Sequence, residues 1–129
     1  MLRSSIAVAV GSAVGGVLRF WLTNWVTRLV PTQLPLGTMV VNVAGSFAIG
    51  MLAAALLHRS HSGASTIWQA LLMTGLLGGF TTFSAFSLQT LLLLQEGRWA
   101  DATANIAMSV LLCLGAVWLG WQVGMLNQG

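Results

Sequence analysis

"GGFTTFSAF", residues 78–86, decides how this chain is read, because it interrupts a run that is otherwise built for oil. Two glycines, two threonines, a serine and three phenylalanines stand within nine residues. Glycine and clustered hydroxyls are poor helix material. At membrane depth, irregular backbone is tolerated only where it is buried in protein or lines a site. The stretch is therefore the first place to look for function.

The surrounding composition fixes the class. The chain has 129 residues, of which 57% are hydrophobic and 5% charged, with a mean hydropathy of +0.87. A soluble domain of this size would carry roughly 25% charged residues. The chain is expected to be an all-α integral membrane protein, one domain over 1–129. A bilayer core needs about 20 apolar residues as helix, and four segments qualify: about 4–29, 36–57, 67–95 and 99–124. Between them lie "VPTQLPLG" (30–37), "HRSHSGAS" (58–65) and "EGRWAD" (96–101). Tryptophans 21, 25, 68, 99, 118 and 121 stand near span ends, as an aromatic belt would. The N-terminal run is expected to be a retained span and not a cleaved signal. Gly11/Gly15, Gly75/Gly79 and Gly120/Gly124 are spaced for close helix packing. The lone Cys113 leaves no partner for an internal disulfide.

Five arginines face two acids, with no lysine, for a net charge of +3. That excess reads as interfacial anchoring, with no nucleic acid as partner. With four spans both termini share one side, which holds Arg3 and Arg59 together with His58 and His61. The other side holds Arg28 and Arg98. Two against two gives no preferred orientation. Oppositely inserted copies that associate would form an antiparallel dual-topology homodimer.

Some polar residues fall where lipid is expected. Arg19 lies within the first span, where a charge either faces protein or water or snorkels to the interface. Asn42 lies mid-span, as glue between helices or as the lining of a path. Gly78-Gly79 followed by Thr81-Thr82 is expected to unwind the third helix, with Gly78 tolerating the dihedrals of an unwound turn. The freed carbonyls would need a donor, a cation or water. Phe83 and Phe86 are three apart and share a face where helix resumes. Aromatic edges carry partial positive charge. Turned to a cavity, with Asn42 and Ser84 beside them, they would suit an anion.

Other chemistries lack their residues. Both acids, Glu96 and Asp101, lie at an interface, and no nucleophile stands with a base. An enzyme is not expected. A small dual-topology multidrug or cation exchanger would share the size and the balanced arginines, but it needs a buried carboxylate.

Three blocks, "GSAVGGVLRF" (11–20), "PLGTMVVNVAGSFAIG" (35–50) and "GLLGGFTTFSAFS" (75–87), carry a resemblance to the Fluc (CrcB) family of bacterial fluoride channels along nearly the whole chain. The resemblance implies a dimer of two antiparallel four-helix subunits in the bacterial inner membrane. It implies two pores that passively export fluoride. It further implies a sodium ion at the dimer centre, held by the backbone carbonyls of Gly78 and Thr81. The phenylalanine pair would be Phe83 and Phe86, the pore asparagine Asn42 and the vestibule arginine Arg19. Ser109 would bring a pore hydroxyl from the fourth helix. Ala85, Gln89, Cys113 and Val117 depart from the family's usual residues, which thins the hydrogen-bonding track beyond the phenylalanines.

Overall fold

The computed structural model describes residues 1–57 and 63–126. Helix α1 (Leu2–Leu29) is followed by α2 (Leu36–Leu57), α3 (Gly63–Trp68), a π-helical segment (Gln69–Leu77), α4 (Gly78–Phe80), α5 (Phe83–Gln95) and α6 (Trp99–Leu126). No strand occurs among the described residues. Four helical stretches are long and apolar enough to cross a membrane: Leu2–Leu29, Leu36–Leu56, Thr66–Gln95 and Trp99–Leu126. The positions counted above in the second loop, His58, Arg59 and His61, lie outside the described residues.

The ends of the spans have local causes. Val30 precedes Pro31 and takes φ −124°, ψ 83°, which stops α1; the proline ring disfavours a helical residue before it. At the other long turn, Gly97 has φ 74°. The Gly97 amide donates to the Leu94 carbonyl at 3.0 Å and the Arg98 amide to the Leu93 carbonyl at 2.9 Å. This paired closure needs a left-handed residue at Gly97, and glycine takes that conformation without a Cβ clash. Arg98 then turns onto Asp101, Nη2 to Oδ2 2.7 Å, in the first turn of α6.

Glycines set the packing. A Cβ at Gly11 would run into the Leu71 carbonyl, and one at Gly15 into the Leu76 carbonyl. The π-helical segment is thus seated backbone-to-backbone on α1. Nothing in the composition of 69–77 signals π winding, which coincides with this close approach. Likewise α6 lies on α2. A Cβ at Gly120 would strike the Phe47 carbonyl, one at Gly50 the Val117 carbonyl and one at Gly124 the Met51 carbonyl. In lipid, helices gain little from hydrophobicity, so such close backbone approach is a main source of association.

The third span departs from its expectation in one respect. Gly78 is helical, φ −64° and ψ −36°, and a Cβ there would meet only ordinary contact with the Met73 carbonyl at 3.7 Å. The non-helical residues are Thr81 (φ −78°, ψ 158°) and Thr82 (φ −152°, ψ 113°). Both angles are ordinary extended backbone, which threonine adopts readily. The glycine's freedom is therefore not what departs from the helix; the threonines do so without strain.

Candidate functional site

Extended backbone at membrane depth must find partners for its polar groups, and here a side chain supplies them. Asn42 of α2 faces Thr82. The Thr82 amide donates to Asn42 Oδ1 at 2.7 Å, and Asn42 Nδ2 donates to the Thr82 carbonyl at 3.0 Å. One carboxamide thus pairs with both backbone groups of one residue, as a neighbouring strand would. The second N–H of this amide has no partner among the described residues. Asn42 is both helix-helix glue and a groove-lining residue.

The clamp has two further effects. In a continuous helix the Thr82 amide would donate to the Gly78 carbonyl; its diversion to Asn42 leaves that carbonyl without its helical donor. The Thr82 side chain accepts from the Ala85 amide at 3.2 Å and so caps α5. Its hydroxyl also pairs with the Ser84 hydroxyl at 3.2 Å.

Two grooves meet at Thr82. The first, 410 Å³, lies between α2, the extended residues and α6, and it brings together Asn42, Gly78, Thr81, Phe83, Phe86 and Ser109. Cys113 also lines it. The rings of Phe83 and Phe86 are 5.4 Å apart and tilted by 48°. Phe83 is 78% exposed, so the groove is open on its aromatic side. The second groove, 630 Å³, lies between α1 and α5 and holds Arg19, Thr38, Ser84 and Gln89. Arg19 and Ser84 thus line a different groove from the phenylalanine pair. Arg19 Nη1 donates to the Thr81 carbonyl at 3.3 Å. The side-chain oxygen Oε1 of Gln89 is buried with no hydrogen-bond partner among the described residues.

Val117, singled out in the sequence, lines neither groove. The acids are set apart from both: Glu96 and Asp101 flank Arg98 at the turn, 3.6 and 2.7 Å from it. Thr82, singled out in the sequence with Thr81 as part of the break, belongs to both grooves. Asn105, not singled out there, supports Ser109 of the first groove. Asn105 is 1% exposed in α6 and holds Thr90 of α5 at 2.9 Å. An amide amid "TANIAMSV" is the same signal that marked Asn42, and it was there to be read.

What this arrangement can do chemically follows from its parts. The first groove is lined by two phenylalanine rings, an amide side chain and hydroxyl-bearing residues, with no formal negative charge among its lining residues. It suits a small anion that accepts strong hydrogen bonds. The second groove adds the guanidinium of Arg19.

A family model described as "CrcB-like protein, Camphor Resistance (CrcB)" matches residues 6–121. A fluoride-specific ion channel FluC of Paramagnetospirillum magneticum is 49% identical over 113 residues, covering 88% of this chain and 88% of that protein. A protein of the same name from a Sulfurovum species is 47% identical over 118 residues, 92% of this chain and 90% of the relative. Another from Campylobacter jejuni is 43% identical over 123 residues, 95% and 98% respectively.

Proposed function

The chain belongs to the CrcB-like family, and from that premise we propose that it is a fluoride-selective ion channel, passively lowering cytoplasmic fluoride. It is a membrane channel and not an enzyme. The observation that carries the reading is the first groove, where Phe83, Phe86, Asn42 and Ser109 converge. A narrow path walled by ring edges admits a small ion that accepts strong hydrogen bonds and excludes chloride by size. Arg19 and Ser84 draw the anion into the second groove.

The channel is an antiparallel dual-topology homodimer with two pores in the bacterial inner membrane. The arginine tie supports the topology, and the exposed Phe83 supports a second copy closing the groove. The carbonyls of Gly78 and Thr81 hold one sodium ion between the copies. The chemistry fits: neutral oxygens suit a hard monovalent cation, and the Gly78 carbonyl lacks its helical donor. Two carbonyls per chain fall short of a full shell, so each copy contributes its pair. The Thr81 carbonyl, already accepting from Arg19, uses its second lone pair. The sodium would bind the copies together and leave the anion path to side chains. A multidrug exchanger has no support, because both acids sit beside Arg98 at the turn.

Fluoride efflux from liposomes holding the purified protein tests the reading. Rapid fluoride loss with chloride retained is expected; no fluoride loss would overturn it. For topology, lysines added in the loop at 60–64 should silence the chain expressed alone, and a copy with lysines beside Arg28 should restore activity.

A further inference from the structure

The fluoride path is lined from α5 and α6, yet the groove-lining residues do not explain what holds α5 in place. It begins at an extended pair of residues, and its Phe83 is mostly exposed. Three buried polar side chains tie it to α6. The Thr90 hydroxyl donates to the Phe86 carbonyl at 2.8 Å. Having spent its hydrogen, it can only accept from α6, and Asn105 Nδ2 donates to it at 2.9 Å. That fixes the amide's orientation and turns Oδ1 toward Ser109, whose hydroxyl donates to it at 3.5 Å. Asn105 is 1% exposed, and Thr90 and Ser109 are 7% exposed each. No other hydrogen bond joins α5 to α6 among the described residues.

We propose that Asn105 is a positioning residue for the anion path, acting through Thr90 on the turn of α5 that carries Phe86. It touches no anion. Its amide fixes where the Phe86 turn stands relative to α6, and so fixes how Phe86 faces the groove shared with Ser109. This rests on the channel reading for its meaning in transport, whereas the mechanical link stands on the hydrogen bonds alone. A leucine at 105 fills much the same volume but leaves the Thr90 oxygen without a donor. The strong arm is the one to Thr90; the 3.5 Å bond to Ser109 is at the limit of a hydrogen bond.

The test compares Asn105→Leu, Thr90→Val, the double variant and the conservative Thr90→Ser, all as full-length protein. One readout is the fluoride-over-chloride permeability ratio in liposomes, which does not depend on how many channels assemble. The other is the fluorine NMR signal of 4-fluorophenylalanine placed at Phe86. Losing one buried hydrogen bond within a membrane should lower the ratio about threefold to tenfold. Asn105→Leu and Thr90→Val should each do so and shift the signal. The double variant should go no further than the larger single effect, and Thr90→Ser should match the parent. An unchanged ratio and signal in Asn105→Leu would overturn the proposal, as would single effects that multiply in the double. If Asn105→Leu does not assemble, Thr90→Val decides by the same outcomes. If the parent passes no fluoride, the channel reading fails on its own; the Phe86 signal still decides the link, supported by a shift and overturned by none.

Discussion

The seam between α2 and α6 and the clamp between α2 and Thr82 solve one problem in opposite ways. Both must hold backbone together where water is absent. Along the seam both helices run unbroken, and Gly50, Gly120 and Gly124 simply let them touch. At the clamp the helix gives up its own bonding, and Asn42 replaces it with a carboxamide that mimics a peptide. The seam is sensitive to added volume and indifferent to polarity. The clamp is sensitive to the loss of one donor and indifferent to modest volume. The first kind of contact makes a bundle; the second leaves groups at membrane depth that an ion can use.

The largest effect should come from filling the seam. Gly120→Leu drives a side chain into the Phe47 carbonyl and should cost about 3 kcal/mol, read as thermal unfolding of the purified protein in detergent. Parent-like melting would mean the helices are not in backbone contact. Asn42→Asp is the corresponding test of the clamp. An ionised carboxylate still accepts from the Thr82 amide but cannot donate to its carbonyl. Stability should drop by about 2 kcal/mol, and fluoride efflux should fall more than the lost stability explains. Efflux at the parent rate would remove Asn42 from the path.

Substituting the rings separates function from either contact. Phe83→Ile and Phe86→Ile keep apolar volume and touch no backbone bond. Efflux should fall about tenfold, or 1.4 kcal/mol in barrier, with melting unchanged; equal loss of both would make the pair structural. Thr82→Ala removes the cap of α5 and should cost about 1 kcal/mol, with Thr82→Ser restoring it. The smallest effect belongs to Gly115→Ala. That glycine shares α6 with Gly120, but nothing lies within 4 Å of its would-be Cβ. Melting should move by about 0.5 kcal/mol or less, and a large loss would reveal a partner packed there.

The seam was more legible in the sequence than the clamp, for a physical reason. Span length, apolar runs and bounding prolines are one-dimensional, so four spans can be read from 129 letters. Glycines four apart announce a close-packed face. Polarity in the third span announced a site, but the sequence spread the break over 78–82 because glycine is the usual breaker. The extended residues are Thr81 and Thr82 because a partner for Thr82 exists 40 residues away in α2, and such a match is not local. For the same reason Arg19 and Ser84 could not be assigned to a different groove from the phenylalanines: which face of α5 a residue takes depends on where the helix restarts. Asn105 was legible as an odd amide in an apolar span, but its link to Phe86 runs through Thr90 in another helix.

The Asn42 clamp also bears on how the chain enters the membrane. A third span moving into hydrocarbon alone with its break in place would carry the Thr82 amide unpaired, and such a group costs several kcal/mol. With α2 already beside it, Asn42 accepts from that amide. The second span leaves the ribosome first, so its Asn42 is at hand when the third arrives. Insertion of these two spans is thereby a joint event, and a chain delayed between them would hold its most polar helix back at the membrane surface.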